Sequence, residues 1–302
     1  MKQSGQGTMV RTWRVRSTAL YRAAVAGGRL VGLALLVLAI TTLRHAPAYA
    51  AEAASAALAD GPMLTVSPRG NASLSAYIDN EGVATPDWVV LLFAGDDGAI
   101  ALGSAGPRRM NGNFVISTAR YWPQHGMAAV EVDAPSDYAN GMNDVFRLGD
   151  ADAQDVGALV DALRKRFPGA KIALVGTSRG TISVGALLRH NPALADAYVL
   201  TSPVTIAGRG GPGLSGVSWP KSSARVLVVS NRNDGCVVSP FWSARKMAEA
   251  NGFEFLAVSS DAGDTSMPGA CRPHAPHGYL GIETSVLDAI SGWLHGQPIA
   301  QR

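Results

Sequence analysis

The sequence predicts an α/β fold, with a mostly parallel central sheet and helices on both faces. Three observations carry this. The candidate strands are unbroken apolar runs rather than alternating ones, as in strands buried on both sides. The connections between them are long enough to hold helices, and several show helical spacing. Turn-forming residues follow the apolar runs directly.

Taken in order, residues 63–67 and 72–78 read as an antiparallel start. Residues 88–94 (WVVLLFA) read as a buried strand ended by GDDG, and residues 128–132 (AAVEV) as a second, ended by DAPSD. Between them, 115–125 predicts a helix with Pro123 near its end. Residues 152–167 place Val156, Leu159, Val160 and Leu163 on one helical face, and Pro168-Gly169 stops that helix. Strands at 171–176 (KIALVG), 197–201 (AYVLT), 225–230 (RVLVVS) and 253–258 (FEFLAV) then alternate with helices at 182–190, 241–250 and 282–294. With no repeat or linker from Gly61 onward, 61–302 reads as one domain preceded by a short lead, 51–60.

The charge is unevenly spread. The chain carries 26 Lys and Arg against 23 Asp and Glu, but seven of the basic residues and none of the acidic ones fall within the first fifty. The remainder has 19 basic against 23 acidic residues, which removes any reason to expect nucleic acid as a partner. The basic stretch leads into an apolar run, LVGLALLVLAI, and then APAYA, which is the order of a secretory signal peptide cleaved after Ala50. Met9 is an alternative start, and an uncleaved membrane anchor is the rival reading of the same segment. Either way the body is expected to be exported, periplasmic or secreted, with no membrane association once the signal is removed. In an oxidising compartment Cys236 and Cys271, the only cysteines, are expected to form a disulfide.

Residues 176–180 (GTSRG) match G-x-S-x-G between a predicted strand and a predicted helix. Side chains at Gly176 and Gly180 would collide with the neighbouring helix and strand in a sharp reversal, so Ser178 is the candidate nucleophile. A serine hydroxyl needs a base, and the base needs an orienting acid. Asp234, in NRNDGC after a strand, is the candidate acid, with Asp261 and Asp264 as rivals one strand later. His277, followed by Gly278 just before the last helix, is the candidate base over His274. His125, His190 and His295 read as helix-end or surface positions.

A Cys236–Cys271 bridge would tie the acid loop to the histidine loop. The backbone amides of Arg179 and of Asp96, in the AGDDG turn, are the expected oxyanion donors. The Arg179 side chain is expected to form a salt bridge with Asp96, Asp97 or Asp133, in preference to the rival reading that it meets an acidic substrate. The stretch APSDYANGMNDVFRLGD is a candidate wall or lid, and Tyr121, Trp122, Tyr138 and Phe146 either line an apolar pocket or simply pack. No cofactor or metal is called for: the six histidines include no helix-spaced pair and no H-E-x-x-H. The expected partner is a small-molecule substrate, and the oligomeric state is left open.

Through LLFAGDDG, VGTSRGT, NRNDGC and HAPHGYLGIE, in that order, the sequence resembles the α/β-hydrolase superfamily over nearly everything after Gly61. In particular it is similar to exported bacterial α/β hydrolases with GNF, DAPSD, GTSRG, D-x-C and HG[FY]LGIE signatures, seen here at 112–114, 133–137, 176–180, Asp234 with Cys236, and 277–283. The resemblance implies an α/β-hydrolase fold without a separate cap domain, with Ser178 as nucleophile, Asp234 as acid and His277 as base. It implies a serine hydrolase working through an acyl-enzyme, on carboxylic esters first and on amides or short peptides second. A non-catalytic binding protein on the same fold is the alternative from another class. The oxyanion loop departs from the familiar His-Gly form, having Ala94-Gly95.

Overall fold

Strands β1 (Met63–Val66), β2 (Leu74–Asp79), β3 (Trp88–Phe93), the two-residue pair β4 (Leu102–Gly103) and β5 (Gly106–Pro107), β6 (Ala128–Val132), β7 (Lys171–Thr177), β8 (Ala197–Thr201), β9 (Arg225–Asn231) and β10 (Glu254–Val258) alternate with seven helices among the described residues. The helices are α1 (Phe114–Ser117), α2 (Tyr121–Gln124), α3 (Asp144–Arg147), α4 (Asp150–Arg166), α5 (Gly180–His190), α6 (Phe241–Asn251) and α7 (Glu283–Leu294). The structure, a computed structural model, describes residues 61–221 and 224–299; the expected signal segment with its cleavage after Ala50, and the lead 51–60, lie outside the described residues. Among the described residues no helix is long and apolar enough to cross a membrane.

Eight strands form one sheet in the order β1-β2-β6-β3-β7-β8-β9-β10. β1 and β2 run antiparallel, as does β2 against β6, and every pairing from β6 through β10 is parallel. The period-2 geometry of a strand explains why unbroken apolar runs are needed. In β3, Val89, Leu91 and Phe93 face a core shared with α4, α5 and α6, while Trp88, Val90 and Leu92 face one shared with α1, α2 and α7. All six are buried, and truncating one such side chain to alanine typically costs about 2–5 kcal/mol.

The termini of α4 show why its sequence folds as it does. Asp150 and Asp152 lie in its first turn and Arg164, Lys165 and Arg166 in its last, complementing the helix dipole, and Gly169 just beyond has φ +89°. The helix expected over 115–125 is instead split into α1 and α2. The Thr118 hydroxyl donates to the Phe114 carbonyl (2.6 Å), closing α1 locally, and Pro123 has no N–H to continue a ladder. α3 was not expected; it is a single turn capped by Asn143, whose Oδ1 accepts the Phe146 N–H at 2.8 Å. Every parallel strand ends on the same edge of the sheet, and the loops leaving β3, β7, β9 and β10 build the site there.

Candidate active site

Gly176 and Gly180 permit the turn on which Ser178 stands. A Cβ on Gly176 would lie 2.6 Å from the Gly180 carbonyl oxygen, and one on Gly180 would run into the carbonyls of Phe93 and Ala94. Ser178 has φ +51°, a left-handed conformation that costs a non-glycine residue roughly 1–2 kcal/mol. Its backbone is held there: the Ser178 N–H donates to the Thr201 carbonyl (3.0 Å), and the Thr181 N–H (3.0 Å) and hydroxyl (2.6 Å) donate to the Ser178 carbonyl.

Asp234 and His277 meet from the loops after β9 and β10. His277 Nδ1 donates to Asp234 Oδ2 at 2.8 Å, and Asp234 Oδ1 accepts the Cys236 N–H at 2.9 Å. Because a carboxylate only accepts, this pairing fixes the proton on Nδ1 and leaves Nε2 with a lone pair. Nε2 is buried with no hydrogen-bond partner among the described residues. The rivals lie elsewhere: Asp261 and Asp264 are exposed, and His274 is exposed beside Gly112. His125, His190 and His295 bond backbone carbonyls at helix ends.

The histidine loop is braced from beneath. The Ser202 hydroxyl donates to the His277 carbonyl (2.8 Å) and Asn231 Nδ2 to the Pro276 carbonyl (3.1 Å). The Tyr279 hydroxyl accepts the Ser202 N–H (2.8 Å) and donates to the Val229 carbonyl (2.9 Å), and burial pushes its phenol well above the ordinary range. The expected disulfide is present between Cys236 and Cys271, 35 positions apart, so the loop that carries Asp234 is covalently joined to the one that leads into His277.

Asp96 has φ +47° in the turn after β3. Gly95 precedes it because a Cβ there would sit 3.0 Å from the Ser178 Cβ and 3.3 Å from Asn113 Nδ2. Neither the Asp96 nor the Arg179 backbone N–H has an acceptor among the described residues. The turn is secured on both sides. Asp133 accepts the N–H groups of Ile100 (2.8 Å), Ala101 (3.2 Å) and Leu102 (2.9 Å), and Arg147 Nη2 donates to the Asp96 carbonyl (3.3 Å). Arg147 is fully buried and also donates to the Ser183 hydroxyl (3.2 Å). Burial pushes its guanidinium down to about 10, against the pull of Asp152, and pushes the buried Asp152 carboxyl up to about 7.

Ser178, Arg179, Asp96, His277, Cys236 and Cys271 all line one cavity of ≈ 670 Å³, with Asp234 touching His277 behind it. A second cavity of ≈ 530 Å³ lies between β10 and α7 and holds no serine–histidine pair. Two expectations are corrected. Arg179 pairs not with Asp96, Asp97 or Asp133 but with Asp144: Nε donates to Oδ1 at 3.0 Å, and Nη2 donates to the same oxygen. Asp97 instead pairs with Arg109, and Asp133 is already filled by amides. The stretch from Ala134 to Asp150 does not wall the cavity; it acts through Asp144, which also accepts the Gly213 N–H (2.9 Å). The four aromatics take the packing alternative: Tyr138 stacks on Phe146, and Tyr121 packs on Trp122 and His125 and donates to Asp288 (2.7 Å).

Asn113 was quoted in the sequence only as part of a signature; its carboxamide sits beside Gly95 in the cavity lining, with Oδ1 buried and unpartnered among the described residues. The Asp234–Cys236–His277 cluster offers donor atoms within 4.8 Å of one another, but the cysteine sulfur is committed to the disulfide and the other two bond each other. As bonded here, the trio does not present a three-ligand metal set.

No protein-family model matches the chain, and no curated protein does. Solved structures do. Est1E from Butyrivibrio proteoclasticus aligns with a TM-score of 0.54 at 14% identity, covering 78% of this chain and 98% of that one. A dienelactone hydrolase from Anabaena variabilis aligns with a TM-score of 0.52 at 16% identity, covering 77% of this chain and 95% of that one. Identity this low speaks for architecture only, and with the sheet order and the placement of helices on both faces it shows that the chain has the α/β-hydrolase fold.

Proposed function

We propose that the chain is a serine hydrolase acting on carboxylic esters, with Ser178 as nucleophile, His277 as base and Asp234 as orienting acid. The observation that carries the reading is the unpartnered Nε2 of His277: a buried lone pair, its tautomer set by Asp234, in the cavity that also holds a left-handed serine. An unsatisfied buried acceptor costs roughly 1–3 kcal/mol, and a site that tolerates one is prepared for a donor that arrives during the reaction.

The chemistry follows from those atoms. As Ser178 Oγ attacks the ester carbonyl carbon, its proton passes to His277 Nε2 and the carbonyl π pair moves onto oxygen, where the Asp96 and Arg179 amides receive it. The tetrahedral adduct collapses, the bond to the alcohol oxygen breaks, and His277 returns the proton to that oxygen. Water then attacks the acyl-enzyme with the same histidine as base, releasing the acid and restoring the Ser178 hydroxyl. Imidazolium forms in each half-reaction, and the ionised Asp234 stabilises it.

The motif order and the disulfide support placing the chain among exported bacterial hydrolases whose N-terminal segment is a cleaved signal, since disulfides persist in oxidising compartments. The reading is tested by turnover of 4-nitrophenyl butyrate and of the matching anilide. Wild type is expected to hydrolyse the ester faster than the anilide, and Ser178→Ala and His277→Ala each to lower kcat by at least about 10³-fold. Folded wild-type protein no faster than Ser178→Ala would contradict it.

A further inference from the structure

Arginines gather at the mouth of the Ser178 cavity although the chain beyond residue 50 is acidic on balance. Arg179, Arg209 and Arg272 line it, against a single lining carboxylate, Asp96. Arg179 is already neutralised by the buried Asp144 and acts as a fixed strut, with Nη2 donating to the Gly210 carbonyl at 3.1 Å. That bond anchors the residue next to Arg209. The turn itself is closed by Gly208 and Gly211, which exchange N–H···O bonds of 2.9 and 3.1 Å, so Arg209 and Gly210 form the tip of a tight reversal.

Arg272 is held from a different loop. Its N–H donates to the Gly269 carbonyl (2.8 Å), and the preceding Cys271 is bridged to Cys236. Both Arg209 and Arg272 are exposed, and neither guanidinium has an ion-pair or hydrogen-bond partner among the described residues. Two uncompensated guanidiniums, each on braced backbone, thus share a cavity whose lining also includes Phe114 and Val238. A guanidinium binds a carboxylate through a planar fork, and a concave low-dielectric wall strengthens the attraction for an approaching anion.

Resting on the hydrolase reading above, we infer that the substrate is an amphipathic ester that carries an anionic group, a carboxylate in first place, at the end remote from the scissile bond, received by Arg209 and Arg272. Arg179 serves as the strut that holds the Arg209 turn. Two matched substrate pairs separate an anion on the acyl part of the ester from one on the alcohol part.

The experiment measures kcat/KM for 4-nitrophenyl hemiglutarate against 4-nitrophenyl valerate, and for 4-butyryloxybenzoate against phenyl butyrate. On at least one pair the anionic ester is expected to be preferred by about tenfold, through KM. The preference should shrink in about 0.5 M NaCl and fall to near unity in the Arg209→Gln/Arg272→Gln double variant. Lys165→Gln/Lys246→Gln, an equal charge change on α4 and α6 outside the cavity lining, should retain it. Indifference to the anion on both pairs, or a preference that survives the double variant, overturns the inference while leaving the hydrolase reading intact. If no ester is turned over, that reading fails, and binding to Ser178→Ala decides the anion separately. Glutaramate should then bind more tightly than valeramide, and lose that advantage in the double variant; equal binding overturns the inference.

Discussion

His277 Nδ1 and Asp234 Oδ2 are 2.8 Å apart, and the other Asp234 oxygen is occupied by the Cys236 N–H. This pair of bonds makes Asp234→Asn a directional test. With the amide N–H of Cys236 claiming the side-chain oxygen, the introduced NH₂ faces Nδ1, moving the imidazole proton to Nε2, where it blocks the Ser178 hydroxyl. We expect kcat on an ester to fall by about 10³- to 10⁴-fold with KM little moved. Retention of more than a tenth of wild-type kcat would show that Asp234 does not set the tautomer.

The Cys236–Cys271 bridge brackets the same loops, and its removal should be felt twice. Closing a loop of this length is worth about 4 kcal/mol in the chain-entropy account. Cys236→Ser/Cys271→Ser is therefore expected to unfold at lower denaturant, and to lose about tenfold in kcat because the acid and base loops are no longer joined. Equal kcat with lowered stability would make the bridge a staple and nothing more. Denaturant titration beside steady-state kinetics reads both.

Arg147 reaches the Asp96 carbonyl from the buried side of the turn after β3, the proposed oxyanion turn, and Gly98 is a glycine because a Cβ there would strike that guanidinium. Arg147→Met keeps much of the volume and removes the donor. The Asp96 amide would lose its support, and kcat is expected to drop by about 10- to 100-fold with little change in KM. The change also leaves Asp152 without its cation, so the carboxyl holds its proton to higher pH still. An unchanged kcat in folded protein would remove Arg147 from the positioning of the turn.

Glu131 gives a stability test on the other side of the sheet. It lies on β6 opposite Tyr77, buried, and burial, helped by Asp79, pushes its carboxyl up to about 7 against the pull of Arg120. A folded-state value above the unfolded one means that the native state holds a proton that the unfolded state releases first. Stability from this group is thus full below about pH 4 and is lost as pH rises toward 7. Glu131→Gln should remove that loss and stabilise the protein by about 1–2 kcal/mol at pH 8, with no gain at pH 4. Denaturant midpoints at the two pH values check the sign; a loss at pH 8 would contradict it.

How much was legible in the sequence follows from which physics is local. The central strands were readable because burial on both faces forbids polar interruptions, and the turns that carry Ser178, Asp234 and His277 because each falls just beyond a strand or just before a helix. The glycines flanking Ser178 were readable for the same reason, since a close backbone approach excludes a side chain. The bracing was not. Ser202, Asn231 and Tyr279 act by hydrogen bonds to residues 45 to 77 positions away, and such bonds leave no periodicity. Arg179 is salt-bridged as expected, but Asp97 is bound to Arg109 and Asp133 to backbone amides, so neither is its partner. Asp144 entered through α3, a single turn too short to show helical spacing.

Ser178 as an activated nucleophile is tested most directly by a fluorophosphonate, which forms a bond at that oxygen. One adduct per chain is expected in wild type, mapped by peptide mass spectrometry to the peptide containing Ser178, absent in Ser178→Ala and strongly slowed in His277→Ala. Folded wild-type protein that takes up no adduct, or an adduct on another residue that persists in Ser178→Ala, would contradict it.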